Sequence, residues 1–268
     1  MELLSKANPP EHIAAQTAAI HQAVLKRSQS IREANFTRIG TGDLEFIFDQ
    51  YDKRFLNGWM PQHLGAENAG LVFRLSSRMT RSGGRTSKYT STDGRPPRYE
   101  IAVATLLLFM TFGGVRRPVE VVGLACQDRL DALQRIMEHE IIHLMELLAW
   151  GRSSCSAKRF RTLASNFFGH RGSTHNLVTT QEHAATVHGV KPGDEVEFDY
   201  EGKREVGRVN RIIGRKVEVV FSDGEKLRGT TSTYTRTGPG FYVSPVDPQS
   251  NNQRIYVVNK NVRSVRLL

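Results

Sequence analysis

His139-Glu140-Ile141-Ile142-His143 gathers two imidazoles and a carboxylate within five consecutive residues. On a helix, one turn separates His139 from His143, so both rings leave the same side and can share one metal ion. Glu140, next to the first ligand, can then reach a water held by that metal. Two neutral nitrogen donors plus a carboxylate that takes the proton are the parts that hydrolysis at zinc requires. The chain has nine histidines, so the spacing alone could arise by chance on a surface helix. The surrounding residues speak against that. Leu130, Leu133, Ile136, Met137, Ile141, Leu144, Leu147 and Leu148 recur at helical spacing and predict a core helix from about Asp131 to Trp150. Burying polar groups there without a partner would be costly.

Other elements must position this helix. Gly151 marks its end, and Ser156 is the expected N-cap of a following helix, Ala157 to Phe168. Upstream, residues 12–35 read as an amphipathic helix behind Pro9 and Pro10, and residues 44–56 as a second one with an aromatic side. Strands are expected at 71–76 and 86–89, with Gly83-Gly84 as the turn between them, then a core helix at 100–112. From Gly189 the apolar period changes to two. Residues 195–200, 204–212, 216–221, 254–259 and 262–267 read as five short strands, which suggests a small all-β barrel of the SH3-like or Tudor-like sort. The expected organisation is an N-terminal helical extension (1–40), a middle domain (41–188) and the barrel (189–268).

Composition narrows the class. At 268 residues, 39% hydrophobic and 24% charged, the chain suits a globular protein with a sizeable core. No apolar run reaches membrane-spanning length, and residues 1–10 lack a secretory pattern, so no membrane association is expected. Cys126 and Cys155 are too few for a disulfide framework, which favours a reducing, cytoplasmic setting. The net charge is +10. Seven basic residues between Arg74 and Arg98 face only Asp93. This stripe makes Arg74, Arg78, Arg81 and Arg85 candidate contacts to a polyanion such as DNA; the competing reading is a solvated hairpin.

The middle part resembles the SprT-like metallopeptidase family, which includes bacterial SprT and the protease domain of Spartan, over about residues 41–180. Phe48-Asp49-Gln50-Tyr51-Asp52 with Phe55 and Gly58 is similar to the family's opening helix. Leu75-Ser76-Ser77-Arg78-Met79 before Gly83-Gly84 is similar to its first hairpin, and Asp131-Ala132-Leu133 to the approach to its H-E-x-x-H helix. Thr174-His175-Asn176-Leu177 resembles a T-H pair that opens a later strand. The resemblance implies an α+β, zincin-like domain of the minigluzincin type, one zinc ion, and hydrolysis of peptide bonds in a protein substrate. Glu140 would be the general base and would return a proton to the leaving amine.

The chain departs from the family where the third ligand belongs. Family members place a His-Gly pair there with an aromatic residue soon after. Here the window reads Ser153-Ser154-Cys155-Ser156, with Phe160 following and no histidine. Cys155 lies 12 residues beyond His143, and a thiolate is a good zinc ligand. The alternatives are His170, Glu146 and His175. A different class also stays open: a non-catalytic zinc-containing module whose basic face or barrel binds nucleic acid or protein. Oligomeric state is not legible.

Overall fold

A computed structural model describes residues 2–189, 191–200, 203–209, 216–220, 226–230, 240–245 and 255–258. It is an α+β protein whose chain separates into two compact units. The first holds residues 1–112 and 116–177, the second residues 113–115 and 178–268.

The first unit opens with α1 (Glu2–Ser5) and α2 (Pro10–Arg27). The helix predicted for 12–35 stops at Arg27. Ser28 donates its N–H to the Val24 carbonyl, and its hydroxyl donates to Asp43 while accepting from the N–H of Ile31. That competing local bonding ends the helical ladder. Ile20, Val24, Ile31 and Phe36 enter one hydrophobic cluster with the elements that follow, so residues 1–40 share the core of the middle part. Next come α3 (Thr41–Tyr51), continued by a π turn at Asp52–Leu56, and α4 (Trp59–Ala66).

A three-stranded sheet follows: β1 (Gly70–Ser76), β2 (Gly84–Tyr89) and β3 (Arg98–Ala104), in the order β1-β3-β2. β3 pairs parallel with β1 and antiparallel with β2. Two expectations are corrected here. Gly83-Gly84 does not close a hairpin between β1 and β2, because β3 lies between them. The apolar run assigned to a helix at 100–112 supplies β3 and only then the short α5 (Thr105–Met110). A central strand covered on both faces is apolar at successive positions, and over a short stretch periodicity cannot tell it from a buried helix.

A small hairpin, β4 (Val119–Val121) and β5 (Leu124–Cys126), leads into α6 (Arg129–Trp150). Asp128 caps α6 by accepting the N–H of Asp131, and Gly151 closes it in the left-handed conformation. Buried Arg129 ties the first turn to backbone carbonyls at Leu108, Thr111 and Asn35. α7 (Lys158–Phe168) packs beside α6. Its N-cap is Ala157 instead of the expected Ser156, whose hydroxyl pairs with that of Ser154.

The second unit starts with α8 (Thr180–His188). β6 (Glu195–Tyr200) and β7 (Lys203–Arg208) form an antiparallel pair. β8 (Lys216–Val220), β9 (Lys226–Thr230), β10 (Gly240–Pro245) and β11 (Ile255–Val258) form a sheet in the order β11-β10-β9-β8. The period-two reading found β6, β7, β8 and β11. It did not include β9 and β10, and the strand expected at 262–267 lies outside the described residues. Among the described residues these strands form two separate sheets, not a closed barrel.

Candidate metal centre

α6 is the wall on which the site is built. Leu133, Met137, Ile141 and Leu144 anchor one side in the core, which turns His139 and His143 toward a cleft of about 600 Å³. The two Nε2 atoms face each other at 3.1 Å. The ring of Phe160, from α7, packs on both imidazoles, with centroids 4.8 Å from His139 and 4.4 Å from His143. One donor atom each from His139, His143 and Cys155 lies within 4.8 Å of the others. The loop between α6 and α7 carries Cys155 back over the end of α6, bringing this third donor to the histidine pair.

Hydrogen bonding fixes one ring. The Ser153 hydroxyl lies 2.6 Å from Glu146 Oε2 and 2.7 Å from His143 Nδ1. Its single proton goes to the carboxylate, so it accepts the Nδ1–H of His143. The Nε2 lone pair of His143 is thereby aimed into the cleft, the usual logic by which a second group sets a ligand's tautomer. Between the rings, the Nε2–H of His139 donates to this lone pair; as a neutral metal ligand through Nε2, His139 would carry its proton on Nδ1 instead. Burial is the first cause that holds His139 down to about 3 and His143 to about 4. Both rings are therefore neutral at physiological pH, as metal ligation requires. His139 Nδ1 is buried without a partner among the described residues.

Glu140 points to the sheet side of the same cleft. Thr86 Oγ1 stands 2.8 Å from its Oε2 and 3.0 Å from its backbone oxygen and can donate to either. Burial raises the carboxyl to about 7, against the opposing pull of Thr86 and Arg85. A group poised there can both take and return a proton at neutral pH. Gly84 makes the room: a Cβ at this position would stand 2.6 Å from Glu140 Oε1 and 2.7 Å from its Cγ. Gly84→Ala is expected to push the carboxylate off its position. The fold should survive at a cost of about 1–3 kcal/mol, while any hydrolytic activity should fall by on the order of 100-fold. Thermal melting and turnover, measured side by side, check this.

Two of the rival third ligands, His170 and Glu146, are engaged by other partners. His170 sits across α6 from the cleft, where its Nε2 meets Glu138 Oε2 at 2.9 Å. This corrects the reading of His170 as an alternative ligand: α7 carries the chain away from the metal donors before His170 is reached. Glu138 is fully buried and also accepts from Tyr51 at 2.7 Å and Arg135 at 3.0 Å. Burial opposes its ionisation, but Arg135, His170 and Tyr51 together hold its carboxyl below the usual range. His170→Ala should therefore cost about 2–3 kcal/mol of stability, the loss of a hydrogen bond to a buried charge. Any bound metal should be unaffected, which denaturant unfolding and metal analysis of one preparation would show. Glu146 is likewise committed, to Ser153 and to Arg159 at 2.6 Å. His175 does line the cleft, and burial lowers its pKa.

Sequence reasoning missed Thr86, Gly84 and Ser153. Gly84 was read as a turn residue, and nothing local marks Ser153 or Thr86 as partners of an α6 residue. The basic stripe changes character. Arg74 pairs with Glu100 at 2.9 Å, Lys88 with Glu67 at 3.1 Å and Arg95 with Asp93 at 2.7 Å. Arg98 lies over the Tyr89 ring. Arg78, Arg81 and Arg85 are exposed and have no ion pair among the described residues.

Among known proteins, residues 182–268 match the model of a Family of unknown function (DUF6982). This match lies within the second unit and does not reach the cleft. No curated protein and no solved structure matches the chain. Among the described residues, no helix is long and apolar enough to cross a membrane.

Proposed function

We propose that the chain is a zinc-dependent metallopeptidase of the SprT-like type, with a zincin-like first unit and a second unit whose strands belong to an SH3-like barrel. The observation that carries this reading is the meeting of three metal-donor side chains with a buried, protonatable glutamate in one cleft. His139, His143 and Cys155 would hold the ion, and their donor set of two neutral imidazoles and one thiol suits zinc. Zinc, when bound, would act as a Lewis acid on water and on a substrate carbonyl.

The protein's own groups do the rest. Glu140 takes a proton on its carboxylate and passes it to the leaving amine, so its standing near neutrality serves both halves of the reaction. Thr86 and Gly84 hold that carboxylate in place, and Ser153 with Glu146 holds the His143 ring. β2 forms the edge of the sheet beside the cleft, paired only with β3 among the described residues. An extended peptide laid along it can bond to its backbone, a common way to present polypeptide. Metal analysis combined with digestion of an unfolded protein, with and without chelator, tests the proposal. Stoichiometric zinc and chelator-sensitive cleavage are expected. Zinc without cleavage would favour a non-catalytic zinc module.

A further inference from the structure

The cleft is chemically lopsided. Val121, Val122, Ile136 and Leu147 give it an apolar wall. At the β2 end it is lined by Arg81 and Arg85, four residues apart on either side of Gly83-Gly84. Both arginines are exposed, and neither has an ion pair among the described residues. Glu140 is the sole carboxylate among the lining residues. Two cations without an ion pair among the described residues, at one end of a cleft lined by a single carboxylate, favour a ligand that brings negative charge to that end.

We propose that the cleft selects polypeptide bearing acidic side chains next to the bond that meets Glu140, with Arg81 and Arg85 as the recognising cations. The proposal rests on the peptidase reading and names its substrate class. An extended chain lying on the edge of β2 would set alternate side chains against the apolar wall and the guanidinium groups. A nucleic-acid track fits the same residues less well. It needs a run of free cations spaced along a surface, and Arg74, Lys88 and Arg95 are spent on Glu100, Glu67 and Asp93.

The test uses the full chain loaded with zinc and carrying Glu140→Gln, so that peptides bind without being cut. Fluorescein-labelled peptides, identical except for Glu, Gln or Lys at alternate positions, are titrated at one ionic strength. The Glu peptide should bind about tenfold tighter than the Lys peptide. Adding Arg81→Glu and Arg85→Glu should invert that order, and the milder pair Arg81→Gln and Arg85→Gln should level it. Arg78→Glu, outside the cleft lining, should preserve it. An order unmoved by both double variants overturns the proposal. So does displacement of the Glu peptide by duplex DNA with equal dependence on Arg78, which would make the arginines a nucleic-acid surface. Cleavage by the unsubstituted protein separates the two readings. Equal cutting of all three peptides sinks the selection and keeps the peptidase. Charge-selective binding with no cutting sinks the peptidase and keeps an acidic-peptide site.

Discussion

Glu140→Gln should keep its zinc and lose its turnover. The carboxylate is not among the three metal donors, so removing its charge leaves the ligand set intact. Glutamine keeps the shape that fits against Gly84 and can still bond to Thr86, but it cannot accept a proton. Loss of a positioned general base lowers turnover by roughly 100- to 10,000-fold. Stability gives the control. Burial raises the Glu140 carboxyl to about 7, above its value in the unfolded chain, so the folded protein loses stability as pH rises through this range. The amide removes that penalty, and the metal-free variant should melt no lower than its parent at pH 8. A variant with undiminished cleavage would remove Glu140 from the mechanism. A variant that lost its metal would show that the carboxylate belongs to the donor set.

The second large effect concerns the metal. His139→Ala and His143→Ala should each abolish stoichiometric zinc, and Cys155→Ser should weaken binding well beyond any effect of His170→Ala. Zinc that binds only the folded chain stabilises it by mass action, about 4 kcal/mol at a thousandfold excess over its Kd. The parent and His170→Ala should therefore show a zinc-dependent rise in melting temperature, and the three ligand variants should show little or none. The measurement is metal content by mass spectrometry together with melting curves across a zinc titration. Full occupancy in both histidine variants would end the site assignment. Parental affinity in Cys155→Ser would remove the thiol from it.

Cys126 provides an internal contrast. It is buried, with its thiol pushed up to about 12, mainly by burial, and it lies outside the donor cluster. It behaves as a small apolar residue. Cys155 is half-buried, packs against the core and stands with the histidines. Composition alone treats the two cysteines alike, and the path of the chain separates them.

What the sequence determined by itself is local. The 3.6-residue period of Leu133, Met137, Ile141 and Leu144 sets α6 and the face it buries, which puts His139 and His143 on the other side whatever surrounds them. Gly151 stops that helix because the left-handed conformation suits glycine. Alternation likewise set β6, whose bounds agree with the reading. Tertiary structure decided everything that required two distant segments to meet. The run at Ile101 becomes strand because β1 and β2 flank it and cover its backbone, a fact of pairing absent from the run itself. Cys155 reaches the histidines and His170 does not, because the turn after α6 folds back while α7 leads away. Gly84 is a notch for Glu140 only because β2 lies against α6. The +6 of the arginine stripe, a sum over sequence, shrinks to four guanidiniums without an ion pair among the described residues once Glu67, Asp93 and Glu100 come within bonding distance. Helical and strand periods are properties of neighbours along the chain, whereas ligation, notches and charge neutralisation are properties of neighbours in space.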